Sequence, residues 1–346
     1  MTKQTWTAFC SAAVFIALTA LLVFVPAPYV SWSPGGVQDT LGEVNGAPII
    51  TIKDTPTYPT NGRLDLTTVS VSRVDARVSL PEAVLSYWLP GRDALPRASV
   101  YREGTSVEES EQEQTVSMAT AQHDAIVAAL RAANRPVRPM PVVSSVIVDG
   151  PAHDRLQPGD LIMSVDGQPV SQVDQAGALI KRHRVGYRVP FEVLRDHRKV
   201  KVVVQTVESK TDPGVPIVGI TIGLGYSYDP QIEFDLGDRI GGPSAGLVFA
   251  LAIYDKITPG ELLAGRHIAG TGTIDPDGNV GAIGGLQEKI TAADNAGATV
   301  FLVPAPNCPE LAGLQTDLEL IKVTTLKDGI DSLSRLDRPE SLPRCG

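Results

Sequence analysis

Basic charge is in short supply in this chain. Its 30 Lys and Arg stand against 39 Asp and Glu, a net charge of −9. A nucleic-acid binder would normally present a basic patch, so no nucleic-acid partner is expected. No internal repeat and no low-complexity tract breaks the 346 residues, which suffice for two or three globular domains. The phosphate-cradling pattern G-x-x-x-x-G-K-[ST] is absent, so no ATP is expected, and no metal or other cofactor either. Cysteine occurs only three times, at Cys10, Cys308 and Cys345. The acidic run "VEESEQEQ" at 107–114 reads as a solvated helix face.

Charge is missing altogether from residues 8–25, "AFCSAAVFIALTALLVFV". Eighteen helical residues span about 27 Å, close to a bilayer core of about 30 Å. A buried core helix of that length would carry a polar face, and this one has none. Lys3 precedes the run and Asp39 is the first charge after it, so the positive-inside bias predicts a cytoplasmic N-terminus and an exported body. A cleaved signal peptide is the rival, but "VPAPYV" makes a poor cleavage site. Cys308 and Cys345 would then face an oxidising setting and are expected to pair.

Downstream, "LDLTTVSVSRV" alternates as a strand should, "LPEAVLSYWL" reads as a short helix, and a longer helix is expected over 106–133. It stops at "NRPVRPMP", where prolines mark a boundary. Residues 142–207 read as strands around one helix, with a D-G turn in "LIMSVDGQPV" and a hairpin around "DHRK". This stretch resembles a PDZ domain of the bacterial envelope-protease type, chiefly in "GPAHDRLQPGDLIMSVDGQPV". PDZ domains capture a peptide carboxylate with backbone N–H groups of a loop before a groove strand. That place here reads Arg138, Pro139, Met140, Pro141, Val142, and proline has no N–H. Peptide capture and a packing or gating role both remain open.

In "GDRIGGPSAGLVFALAIYD", residues 237–255, Ser244 stands at the mouth of a helix apolar on every side, with Pro243 suited to its first turn. Free N–H groups near the positive end of that helix, at Gly242, Pro243 and Ser244, could hold an oxyanion. Equally, Ser244 could be a plain helix N-cap. No histidine is near. In "TGTIDPDGNVGAIGGLQEKITAADNAGATVFLVP", Leu286, Ile290, Ala293 and Gly297 form one helical stripe. Lys289 sits at its edge, while Gln287, Glu288 and Thr291 point elsewhere. Lys289 is either a snorkelling surface residue or a functional one.

Together "GGPSAG", "GGLQEKITAA" and "TGTI" resemble the serine, lysine and threonine motifs of the Lon proteolytic domain, over about 130 residues. The resemblance implies a serine endopeptidase in which Ser244 is the nucleophile, Lys289 the general base and Thr271 a partner orienting the lysine. Burial would let the lysine act as a base, since a desolvated amine loses its proton more readily. Many Lon enzymes carry an acidic residue where Gly241 stands, and Asp238 is out of register with it. Anchor, PDZ and Lon-like domain in this order resemble single-pass PDZ/Lon-like proteins of Gram-positive bacteria. The implied fold is α+β: an N-terminal transmembrane helix, an α/β N-terminal region, a PDZ-like β-rich domain and a Lon-type proteolytic α/β domain. The expected division is a cytoplasmic tail 1–7, an anchor 8–30 in contact with lipid, an extracytoplasmic region 31–135, the PDZ-like unit 136–207 and the proteolytic domain 208–342. Implied partners are protein or peptide substrates, unfolded or from the membrane and envelope, and further copies of the chain in a homo-oligomer, with a hexamer as the family pattern. Cleavage would be ATP-independent. The alternative is a non-enzymatic envelope scaffold that keeps a Lon-like fold.

Overall fold

The computed structural model describes residues 3–24, 26–89, 91–237 and 241–345. Asp238 lies outside the described residues. The chain forms two compact units, one of Met1–Thr51, Pro56–Ala133 and Ile232–Gly346, the other of Ile52–Thr55 and Asn134–Gln231.

The first unit opens with helix α1, Lys3–Phe24, mostly apolar and exposed at every described side chain but the half-buried Ala20. It is long and apolar enough to cross a membrane. Pro26 and Pro28 follow at once, and proline cannot continue a helix interior. Tyr29 and Val30, inside the predicted span 8–30, therefore begin strand β1, Tyr29–Asp39, and Val30 is fully buried. Strand β2 is Arg63–Val71. Helix α2, Leu80–Trp88, starts at a capping box in which Ser79 and Glu82 serve each other's backbone N–H. Strand β3, Asp93–Pro96, and the long helix α3, Val107–Ala132, come next.

After the second unit the chain returns with α4, Gly246–Ile257, whose residues from Leu247 to Ile253 are all fully buried. Then follow β4, His267–Gly270; the short pair β5, Thr273–Ile274, and β6, Val280–Gly281; α5, Leu286–Asn295; β7, Val300–Pro304; β8, Glu319–Val323; and α6, Leu326–Leu333. One sheet collects both ends of the chain in the order β8-β7-β4-β2-β1-β3. It is parallel from β8 to β2 and antiparallel across β2, β1 and β3. The seam is β2 against β4, where Leu64 lies opposite Ile268 and Leu66 opposite Gly270. Asp65, fully buried at that seam, accepts from Arg63 Nε at 2.7 Å and lies 2.6 Å from His267 Nε2. Such pairing keeps a buried carboxylate from being left bare. Among the residues packed together nearby are Ala269, Leu286, Ile290, Ala293, Phe301 and Val303.

In the second unit an antiparallel sheet runs Arg198–Gln205, Arg188–Arg195, Leu161–Val165, Arg138–Val146, Ile220–Ser227. The helix Val173–Lys181 packs on it, over a core that includes Val143, Ile162, Leu179, Phe191 and Val193. Asp166 and Gly167 both have positive φ, as do Asp196 and His197. Both hairpins therefore close through left-handed turn residues, as "DG" and "DHRK" lead one to expect. Residues 138–142 do not form a loop: they lie in a strand, with Pro139 opposite Tyr226 and Pro141 opposite Leu224. One edge of the sheet is Ile220–Ser227, which also touches the helix Val173–Lys181, and the other is Arg198–Gln205.

Candidate active site

The serine segment is shaped by its glycines and proline. Gly242 has φ of 90°, a conformation side chains avoid, and Pro243 then opens a tight turn, Pro243–Ala245, that runs straight into α4. Ser244 is half-buried in that turn. It is not a helix N-cap: Gly242 caps the turn, Ala245 caps α4, and neither cap uses a side chain. Of the three backbone positions expected to hold an oxyanion, Gly242 donates its N–H to the Gln114 carbonyl at 3.4 Å. Pro243 has no N–H to give. The Ser244 N–H is the one of the three left for that role.

Ser244 is stitched to the two residues that link β4 to β5. Its carbonyl accepts from Gly272 N–H at 2.8 Å and from the Thr271 hydroxyl at 3.0 Å, and Leu247 N–H returns a bond to the Gly272 carbonyl at 3.0 Å. Thr271 is fully buried, and its Oγ1 accepts from Lys289 Nζ at 3.0 Å. An unbroken chain of hydrogen bonds thus joins Lys289 to Thr271 to the backbone of Ser244.

Lys289 is only 3% exposed, with Leu286 and Ile290 beside it at 0% and 1%. Burial pulls its amine pKa down to about 8, against an opposing pull from neighbouring Glu288. Glu288 does not point to solvent as its helical position suggests. It is 5% exposed, and burial, with Asp93 and Glu310 nearby, raises its pKa. Gly297 is not on the α5 stripe either; it follows the helix with φ of 81° and is exposed.

Ser244 and Lys289 open on one cleft of about 1420 Å³, whose walls include Trp32, Thr68, Val71 and Gln114. His267 is not among its lining residues, so its pairing with Asp65 is no part of a serine triad here. Two shaping residues carried no sequence signal. Trp32 lies against the Gly284–Gly285 break before α5, where a Cβ on Gly284 would come within 2.8 Å of the indole. Asn307, 1% exposed, accepts from Ile283 N–H at 3.0 Å and donates to the Ile283 carbonyl at 2.8 Å, fixing the loop that leads into the lysine helix. Next to it, Cys308 is joined to Cys345 in a disulfide with Cα atoms 5.3 Å apart. Cys10 is free and exposed on α1. No cluster of His, Cys, Asp and Glu suited to a metal occurs among the described residues.

Residues 109–206 match the PDZ domain family model, and residues 239–333 match that of the Lon protease (S16) C-terminal proteolytic domain. Lon protease 2 of Bacillus subtilis is 34% identical over 114 residues, 33% of this chain and 20% of that protein. The Lon protease of Roseiflexus castenholzii is 36% identical over 101 residues, 29% of this chain and 12% of that protein. The chain thus spans a fifth or less of these two relatives. The PDZ domain of the SdrC-like protein of Listeria monocytogenes is 28% identical and covers 24% of this chain and 86% of its own, with a TM-score of 0.23. The chain carries a PDZ domain and a Lon-type proteolytic domain behind an apolar N-terminal helix.

Proposed function

We propose that this chain is a membrane-anchored, extracytoplasmic serine endopeptidase that works without ATP. Ser244 attacks the peptide carbonyl, and Lys289 takes its proton and returns it to the leaving amine. Thr271 is a positioning residue that holds the lysine amine through its hydroxyl. The observation that carries the reading is Lys289 itself, a lysine buried beside apolar side chains, with a pKa near 8, lining the cleft that Ser244 lines. An ordinary surface lysine stays protonated at neutral pH, whereas this one is neutral in a useful fraction of molecules. A scaffold has no use for such a group.

The anchor would be α1, with the N-terminus in the cytoplasm and both compact units outside. The PDZ unit would select substrates at its Ile220–Ser227 edge, where an extended peptide can add as a further strand beside the helix Val173–Lys181. Gly219, with φ of 75°, sits at the head of that strand, where backbone N–H groups can meet a terminal carboxylate. By likeness to Lon proteolytic domains, the protein would work as a homo-oligomeric ring.

Labelling of the purified full chain with a serine-reactive probe, in parallel with casein cleavage, tests the chemistry. Wild type should label and cleave, and Ser244→Ala should do neither while remaining folded. Persistent cleavage by Ser244→Ala would overturn the assignment.

A further inference from the structure

Helix α2 is amphipathic in an unusual sense, because its apolar side faces out. At 100° per residue, Tyr87, Leu80, Val84, Trp88 and Leu85 fall on one arc of about 160° with no charge in it. All five are exposed, Tyr87 at 70% and Trp88 at 76%. The opposite side holds buried Ala83 and Ser86 and the one charged residue, Glu82, which is engaged in the capping box. Ser86 Oγ meets Ser31 Oγ of β1 at 2.9 Å. The fold therefore pins the small, polar side of α2 to the sheet and leaves its large apolar side uncovered.

The position of this surface identifies what covers it. Helix α1 has 22 residues, about 33 Å of helix against a hydrocarbon core of about 30 Å. Phe24 therefore stands at the bilayer boundary. Just beyond it, Ala27 N–H bonds to the Val78 carbonyl at 2.8 Å and Pro26 bridges to Ser79, the cap of α2. Helices α1 and α2 are also in contact. Helix α2 thus begins at headgroup depth, the layer where Trp and Tyr rings settle with an apolar body and a polar edge. We infer that α2 lies in the outer interfacial layer of the bilayer, its apolar arc inserted among lipid and its polar side holding the sheet of the catalytic unit against the membrane. The four arginines at 73, 77, 92 and 97 are nearly balanced by Asp75, Glu82 and Asp93, so the contact is apolar and needs no anionic lipid.

The inference rests on α1 being a membrane anchor, and the experiment separates the two. Full-length protein bearing Trp6→Phe is reconstituted in phosphatidylcholine vesicles brominated either high or low on the acyl chains. Its tryptophan emission is compared with that of Trp6→Phe/Trp88→Phe, so that the difference reports Trp88 alone, and flotation with the vesicles reports α1. The expected result is flotation with a blue-shifted Trp88 signal, quenched strongly by shallow bromines and less by deep ones, and insensitive to iodide and to added salt. Flotation with a Trp88 signal that iodide quenches and bromines do not would overturn the inference and leave the anchor standing. A signal protected from both quenchers would also overturn it, since a second copy or another protein would then cover α2. Failure to float would remove anchor and inference together.

Discussion

Lys289→Met should make the protein more stable and inactive at once. The lysine pays for its location in free energy: its pKa is held near 8 instead of 10.5, which corresponds to about 3 kcal/mol against the charged form. Well below pH 8 the lysine is protonated both folded and unfolded, so the folded state carries the whole penalty. Between pH 8 and 10.5 the unfolded chain binds the extra proton, so wild-type stability rises with pH across that window. Above 10.5 the amine is neutral in both states and the penalty is gone. Methionine has a similar length and no charge, and Thr271 keeps its donor bond to the Ser244 carbonyl. Thermal unfolding of the full chain in detergent should therefore show the variant melting higher at pH 7, by several degrees at roughly 2–4 °C per kcal/mol. The gap should close as the buffer approaches pH 10.5. A variant less stable than wild type at pH 7, or a gap that ignores pH, would refute the claim that Lys289 is a strained, desolvated base.

Peptidase activity should climb with pH to a midpoint near 8 as the Lys289 amine loses its proton, and a pH–rate profile of kcat/KM that is flat from 6 to 9 would count against the dyad. Lys289→Arg should be inactive, because guanidinium does not give up its proton, while Thr271→Val should keep measurable activity but move that midpoint; single-turnover assays across pH read both. Cys308→Ser should lower stability by roughly 3–4 kcal/mol through a loop of 37 residues, read from denaturant midpoints with and without reductant. Gly285→Ala forces a side chain into a residue with φ of 70° whose Cβ position lies 2.5 Å from Val69, so it should displace α5 and lose activity without touching either reacting group, as probe labelling and casein cleavage would show.

Local pattern made much of this molecule legible. The uncharged run became α1, the helical patterns in "LPEAVLSYWL" and over 106–133 marked α2 and α3, and the turn residues of "DG" and "DHRK" closed both PDZ hairpins. The run that is apolar on every side likewise announced a buried helix just after Ser244, although the separate turn Pro243–Ala245 ahead of it was not foreseen. Partners distant in sequence were not legible. The Thr67 hydroxyl reaches the Gly270 carbonyl across 203 residues, and nothing near either position encodes that meeting. Ile220–Ser227 follows the recognisable PDZ pattern, yet it forms one sheet edge and displaces residues 138–142 from the role their position suggested. Glu288 looks solvent-facing by helical angle, but that angle says nothing of what lies opposite, and its surroundings bury it. Asn307 and Trp32 shape the site through contacts that only tertiary packing creates.

The seam between β2 and β4 also sets a clock. A ribosome adding about 5–20 residues per second finishes β2 some 10–40 s before β4 exists. Until then β2 lacks its parallel neighbour, and Ser244, Thr271 and Lys289 are all still to be made or only just emerging. The apolar helix α1 and the PDZ unit are complete before the cleft can close. In the protease proposed above, a newborn copy would therefore be tethered and able to fold its PDZ unit while still harmless to the chains around it, and would acquire its cutting site among the last parts to be made.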